Sequence, residues 1–208
     1  MLKGWINAKY LDEKEIDKIR INFLKSKPFP NLALGNFFNE NKLSRLKREL
    51  SKEKYEKIGK DLFSLSHTKD LISSDNAAIR EFYALLSSND FISLMEKLTG
   101  ERLSEKIDMQ SHSMVNGDYL LLHDDVVEGR GIAYIVYLSD LGEDDGGSLR
   151  MYDIKNPSSP VENIHPKFNS FACFKVSEKS LHDVEEVKSK KQRLTIGGWF
   201  YGKYISIE

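Results

Sequence analysis

The sequence predicts an α+β fold in which a helical layer packs on a jelly roll. Three observations carry that expectation: helical periodicity confined to the first half, a change after Gly100 to short runs rich in β-branched and aromatic residues, and turn residues spaced almost regularly between those runs.

From Leu11 to about Lys97, apolar residues recur three and four apart: Leu11, Ile16, Ile19 and Phe23, then Leu43, Leu46 and Leu50. Pro28 and Pro30 divide these two stretches, because proline has no amide donor and restricts the residue before it. A third helical stretch, about Asp75 to Leu98, carries Ile79, Phe82, Leu85 and Leu86 and stops at Gly100. Lys and Glu alternate on the polar sides, which reads as solvated surface. The segments Ser64 to Ser74 and Val127 to Gly131 read as loops.

Candidate strands follow at Tyr119 to Val127, Ile132 to Leu138, Ser148 to Asp153, Phe171 to Val176, Leu181 to Val187 and Arg193 to Ile207. Asp144-Asp145-Gly146-Gly147 and Lys188 to Gln192 read as turns between neighbours. A length of 208 residues suits one well-filled core, so residues 1–208 read as a single domain, 1–105 mainly helical support and 106–208 the jelly-roll core.

A formal net charge of −1 gives no field that would gather nucleic acid or anionic membrane. The lone cysteine, Cys173, lies in the apolar run Phe171-Ala172-Cys173-Phe174, which excludes an internal disulfide and fits a cytoplasmic location. No stretch approaches the roughly 20 apolar residues that span a bilayer, and Met1 to Tyr10 lacks a signal-peptide core. The expectation is a soluble, unprocessed protein.

The chemistry concentrates on one constellation. His123 and Asp125 follow the apolar run Leu120 to Leu122, and alternate residues of a strand share a face, so both are expected to project between the sheets. His182, 57 positions beyond Asp125, supplies a third ligand from a later strand. Two histidines and one carboxylate make the facial triad of a non-haem iron(II) site, with open positions for a bidentate 2-oxo acid and dioxygen. His67, His112 and His165 have no carboxylate two residues on and read as surface or satisfied core histidines. Arg193 opens an otherwise apolar strand, where burial is costly unless the guanidinium meets an anion; the distal carboxylate of a dicarboxylic 2-oxo acid would serve. Thr195 shares its face and adds a hydroxyl.

Five ordered motifs carry a family resemblance: His123-x-Asp125, the strand Gly131 to Leu138, the turn Asp145-Gly146-Gly147-Ser148-Leu149, the distal His182, and Arg193-Leu194-Thr195-Ile196-x-Gly198-Trp199-Phe200. Together they resemble the prolyl hydroxylase branch of the 2-oxoglutarate oxygenases. Ile107-Asp108-Met109 and Gly198-Trp199-Phe200-Tyr201-Gly202 resemble the ribosomal prolyl hydroxylases in particular. The resemblance implies a catalytic domain with a double-stranded β-helix, iron(II) held by His123, Asp125 and His182, 2-oxoglutarate as co-substrate, dioxygen as oxidant and ascorbate as an optional reductant. It implies that Arg193 and Tyr137 contact the distal carboxylate and that Leu149 and Trp199 line the co-substrate pocket. The expected substrate is a prolyl residue of a protein, ribosomal or translation-related. Eukaryotic members carry a second, non-catalytic jelly roll after the catalytic one, and no contact from such a domain is expected within these 208 residues. Related nucleic-acid demethylases have a second arginine six residues after the first, where this chain has Trp199, so nucleic-acid repair is not expected. Three alternatives remain open: a hydroxylase of a free amino acid or small metabolite, a non-catalytic jelly-roll binding module, and a zinc hydrolase on the same ligands.

Overall fold

The computed structural model describes residues 1–202. Two helices, α1 (Glu13–Lys25) and α2 (Glu40–Leu50), flank a short strand β1 (Asn31–Leu34). A hairpin of β2 (Glu56–Lys60) and β3 (Phe63–His67) leads to α3 (Ala77–Leu86) and α4 (Asn89–Thr99). The strands that follow are β4 (Leu103–Ile107), β5 (Gln110–Met114), β6 (Tyr119–His123), β7 (Arg130–Tyr137), β8 (Leu149–Asp153), β9 (Asn156–Ile164), β10 (Phe171–Lys175), β11 (His182–Val184) and β12 (Arg193–Gly202). No helix is long and apolar enough to cross a membrane.

Side-chain caps set the helix boundaries. Asp12, Asn39, Asn76 and Ser88 each accept a hydrogen bond from an amide in the first turn of the helix they precede, satisfying a donor that has no partner within the helix. Gly100 ends α4 in a left-handed conformation (φ +78°), which costs little without a Cβ. The single helix expected from Asp75 to Leu98 is therefore two. Ser87 closes α3 and Ser88 starts α4, its Oγ accepting from Phe91 N, so these hydroxyls substitute locally for helix hydrogen bonds.

All strand pairings are antiparallel, in the order β1-β10-β7-β12-β5-β3-β6-β11-β8-β9, with β2 beside β3 and β4 beside β12. β3 is the strap of the roll: Ser66 and His67 pair with β5, whereas Phe63 and Ser64 pair with β6. The sequence expectation of a loop from Ser64 to Ser74 is corrected here, because Ser64 to His67 lie on this strand and Leu71–Ser73 form a short 3-10 turn. The expected strand ends are also trimmed. Tyr119 to Val127 stops at His123, Leu181 to Val187 shortens to His182–Val184, and Arg130, expected in a loop, opens β7. Residues 203–207 of the expected last strand lie outside the described residues.

One core joins the helices to the roll. Phe37 stacks on Phe171 with ring centroids 4.8 Å apart, and Phe91 of α4 stacks on Phe200 of β12 at 6.0 Å. Ile16, Ile19 and Phe23 of α1 and Leu43, Leu46 and Leu50 of α2, the residues expected on their buried faces, lie in the same cluster. Burying each such side chain stabilises the fold by about 1.5–3 kcal/mol before chain entropy is counted. Cys173 is fully buried there as a free thiol, and burial pushes its pKa up, so it is inert.

Candidate metal centre and carboxylate clamp

His123 is the last residue of β6 and His182 the first of β11, and the two are direct cross-strand partners. Their rings lie with centroids 4.1 Å apart. Each Nδ1 faces a backbone carbonyl, Leu121 O at 2.8 Å for His123 and Ser180 O at 2.6 Å for His182. A carbonyl can only accept, so both Nδ1 atoms carry the proton and both Nε2 lone pairs are left for another partner. They converge on Asp125, whose Oδ1 is 3.5 Å from His123 Nε2 and whose Oδ2 is 3.5 Å from His182 Nε2.

Asp125 reaches this place by a different route from the one the alternation predicts. It lies beyond the end of β6, with a left-handed backbone (φ +64°). Asp124 accepts from Val126 N and turns the chain back, so an Asx-type turn, not strand periodicity, aims the carboxylate. One ligand atom from each of the three residues can be chosen so that all lie within 4.8 Å of one another. Such a donor set, two imidazole nitrogens and one carboxylate on one side of a cavity, suits a borderline divalent transition metal.

The surroundings hold the carboxylate in place. Trp199 Nε1 donates to Asp125 Oδ2 at 3.2 Å, and the Arg130 guanidinium stacks 3.3 Å from the Trp199 ring centroid, with Nη1 3.8 Å from Asp125 Oδ1. Burial opposes the charge on Asp125, but His123, His182 and Trp199 outweigh it and lower its pKa. Burial likewise opposes a charged His123, whose pKa nevertheless rises because Asp125 outweighs burial. His182 goes the other way: burial, reinforced by His123, lowers it to about 4, keeping it a neutral ligand at physiological pH.

At the far end of the cavity lies a buried cation without an anion. Arg193 is 3% exposed; its Nε donates to Gly147 O at 2.8 Å and Nη1 contacts Met114 Sδ at 3.7 Å. Its Nη2 and the Tyr137 hydroxyl are buried and meet no partner in hydrogen-bond geometry among the described residues, although the two side chains lie close enough to interact with each other, and the guanidinium lies 5.5 Å from the Tyr137 ring. A buried, unsatisfied donor costs about 1–3 kcal/mol, more when charged, so this pair is arranged for a ligand that the protein itself does not supply. Gly147 makes room for it. With φ +76°, a Cβ there would lie 3.2 Å from Arg193 Cδ and 3.0 Å from Leu141. A carboxylate fits the clamp, and the orphaned donors are the test that a dicarboxylic co-substrate passes.

Between the two ends is a cavity of about 400 Å³ whose walls include His123, Asp125, His182, Arg193 and Thr195, with Leu149 and Trp199 among the lining residues. Tyr137 lies beside Thr195 as its cross-strand partner on β7. One lining residue escaped the sequence reading. His112, expected to be a surface or satisfied core histidine, faces the cavity and makes no side-chain hydrogen bond among the described residues. Alternation along β5 from Met114 could have flagged it, but an isolated histidine carries no spacing signal. His165 does find a partner, its Nδ1 2.8 Å from Ser148 Oγ.

Residues 109–201 match the model of the 2OG-Fe(II) oxygenase superfamily. Among curated relatives, the chain is 34% identical over 185 residues to "Prolyl 3-hydroxylase OGFOD1" of Xenopus laevis, covering 86% of this chain and 36% of that protein. It is 30% identical over 189 residues to "Prolyl 3-hydroxylase sudestada1" of Drosophila melanogaster, covering 85% and 35%. The chain thus spans about a third of the length of these relatives. Among solved structures, a Pseudomonas putida prolyl-4-hydroxylase superposes with TM-score 0.72 at 15% identity, covering 91% of this chain and all of that one. A Trichoplax adhaerens prolyl hydroxylase in complex with a hypoxia inducible factor peptide gives TM-score 0.72 at 15% identity, covering 97% and 96%. These similarities in structure show a shared double-stranded β-helix fold.

Proposed function

Because this chain belongs to the 2OG-Fe(II) oxygenase superfamily, we propose that it hydroxylates a prolyl residue of a protein, with 2-oxoglutarate as co-substrate and succinate and carbon dioxide as co-products. Residues 1–208 are read as one catalytic unit, His123, Asp125 and His182 as the iron ligands, and Arg193, Tyr137 and Thr195 as the clamp for the distal carboxylate. Leu149 and Trp199 line the pocket between them. The observation that carries the reading is a single one: a buried guanidinium with an orphaned Nη2 shares a cavity with two histidines whose Nε2 atoms converge on a carboxylate.

Iron(II) held by His123, Asp125 and His182, with 2-oxoglutarate in the clamp, would supply the oxidative chemistry for inserting an oxygen atom into a C–H bond. The chain's own residues bind, orient and exclude. Leu121 O and Ser180 O fix the imidazole tautomers with Nε2 turned toward Asp125, and His182, held neutral by burial, has no proton to lose before a metal binds. Trp199 holds Asp125 by one oxygen and fixes its rotamer. Arg193 and Tyr137 offer a bidentate fork and a hydroxyl to a carboxylate, and that charge match orients the co-substrate before the prolyl group arrives. Leu149, Phe174 and Trp199 give the chamber apolar walls, which limit water at the reacting carbon.

A protein substrate is supported by the similarity to curated prolyl 3-hydroxylases, and a cytoplasmic location by the buried, unpaired Cys173. The test is incubation with iron(II), 2-oxoglutarate and air, offering peptides from small-subunit ribosomal proteins and, separately, free proline. A gain of one oxygen on a peptide prolyl residue with stoichiometric succinate is expected. Modification of free proline alone would overturn the protein-substrate reading, and turnover supported by zinc(II) instead of iron(II) would overturn the oxygenase reading.

A further inference from the structure

The clamp has a polar neighbour that the reading above does not use. Tyr137 on β7, Thr195 on β12 and His112 on β5 are successive cross-strand partners, so they form one row across three adjacent strands. Strands lie about 4.8 Å apart, which sets the ends of the row about 10 Å from each other with Thr195 between them. In the adjoining row, Arg193 is partnered by Met114. His112 and Thr195 both border the cavity that runs to Asp125.

Space for the imidazole is provided by the neighbouring strand. A Cβ on Gly197 would lie 3.7 Å from His112 Nδ1, in ordinary van der Waals contact, so the ring packs over this glycine. The ring faces the cavity and makes no hydrogen bond among the described residues. The half-buried imidazole faces the same chamber as the clamp, whose Arg193 Nη2 and Tyr137 hydroxyl are buried without a partner among the described residues.

We propose that His112 is a positioning residue for the co-substrate, its imidazole hydrogen bonding to the bound 2-oxo dicarboxylate from the side of Thr195 opposite Tyr137. This rests on the oxygenase reading of the cavity. Burial, with Arg193 and His67 adding to it, holds the free ring neutral by lowering its pKa to about 4, so it presents one donor and one acceptor and does not add a second cation to the clamp. Arg193 then supplies the charge and His112 the direction.

The experiment measures 2-oxoglutarate binding by calorimetry on the full chain loaded with manganese(II), which does not depend on turnover. His112→Leu is expected to raise the Kd about tenfold, the loss of one hydrogen bond. His112→Gln, which keeps a donor and an acceptor, is expected to recover most of that loss. Manganese affinity without the dicarboxylate should be unchanged in both variants, a control that a distorted cavity would fail. Arg193→Met serves as the internal reference. Should it weaken binding by about 100-fold while His112→Leu leaves the Kd unchanged, the co-substrate reading stands and the role of His112 falls. Should the parent protein itself bind no 2-oxoglutarate, the reading of the cavity falls with it. An unchanged Kd with a raised KM for a peptide substrate would also overturn the proposal, because it would move His112 to the substrate.

Discussion

The two ends of the cavity bury charge in opposite ways. At the candidate metal end, opposite charges face one another, although the Arg130 Nε is buried without a hydrogen-bond partner among the described residues: Asp125 receives a hydrogen bond from Trp199, stands 3.5 Å from two imidazoles and has Arg130 within 3.8 Å. At the clamp end, Arg193 is more deeply buried yet has only a carbonyl and a thioether, with Nη2 left over. The difference separates sites by what they lack. A self-paired triad is preorganised and costs little to keep empty, whereas an unpaired cation keeps the fold under tension until its anion arrives.

Four perturbations probe that contrast. The largest effect is expected from Asp125→Ala, which removes the only anionic ligand and leaves two imidazoles; iron(II) or manganese(II) affinity should drop by a factor on the order of 1,000 or more, with turnover lost. Titration followed by calorimetry reads this directly, and retention of metal affinity would move the site elsewhere. Next, Arg193→Met should weaken 2-oxoglutarate binding by about 100-fold while raising the stability of the ligand-free protein by about 1–3 kcal/mol, since an unpaired buried charge is replaced by an apolar chain. Stability lost together with affinity would mean that Arg193 is a structural cation, and the contrast between the two ends would disappear. Trp199→Phe keeps the ring but removes the donor to Asp125; a decrease of about 10-fold in metal affinity is expected, with 2-oxoglutarate binding at saturating metal little altered.

The smallest effect is on pH dependence. Burial, followed by Arg193 and His67, lowers His112 to about 4 in the folded chain, against an unfolded value near 6.5. Between these values the unfolded chain binds a proton that the folded chain refuses, so stability falls as pH drops from about 6.5 towards 4 and loses nothing further from this group below that. Because the ring borders the cavity, we expect a loss on the order of 1–2 kcal/mol rather than the full linkage value. Urea midpoints at pH 7 and pH 4.5 should therefore converge in His112→Leu relative to the parent, and parallel losses in both proteins would assign the acid sensitivity to other groups.

What could be read from the sequence differs between the same two ends. Arg193 and Thr195 were visible because a charged residue opening an apolar strand contradicts its surroundings, and the structure does place both on a buried strand facing one cavity. His123 and Asp125 were visible as a triplet, but the reason given for their convergence was strand alternation, whereas a turn at Asp124 and a left-handed Asp125 bring them together. Turn chemistry of that kind depends on tertiary contacts. The hairpin of β2 and β3 leaves almost no periodic signal in the sequence, because Glu56 to Lys60 are mostly exposed and Ser64 to His67 half-exposed, and most of these residues are polar. Caps show the same limit. Ser87-Ser88 could break a helix or sit within one, and only the packing of α4 against the roll decides.

β3 has a dynamic consequence of its own. Because Ser66 and His67 pair with one face of the roll and Phe63 and Ser64 with the other, this five-residue strand acts as a spine along which the two covers are bound. Widening the chamber by separating the covers there would break both sets of ladder bonds together, so amide protons of Ser64 and Ser66 should exchange with solvent at a common rate. Separation of the covers is therefore expected away from β3, while the ladders of β12 with β5 and β7 hold the row of Tyr137, Thr195 and His112 in register.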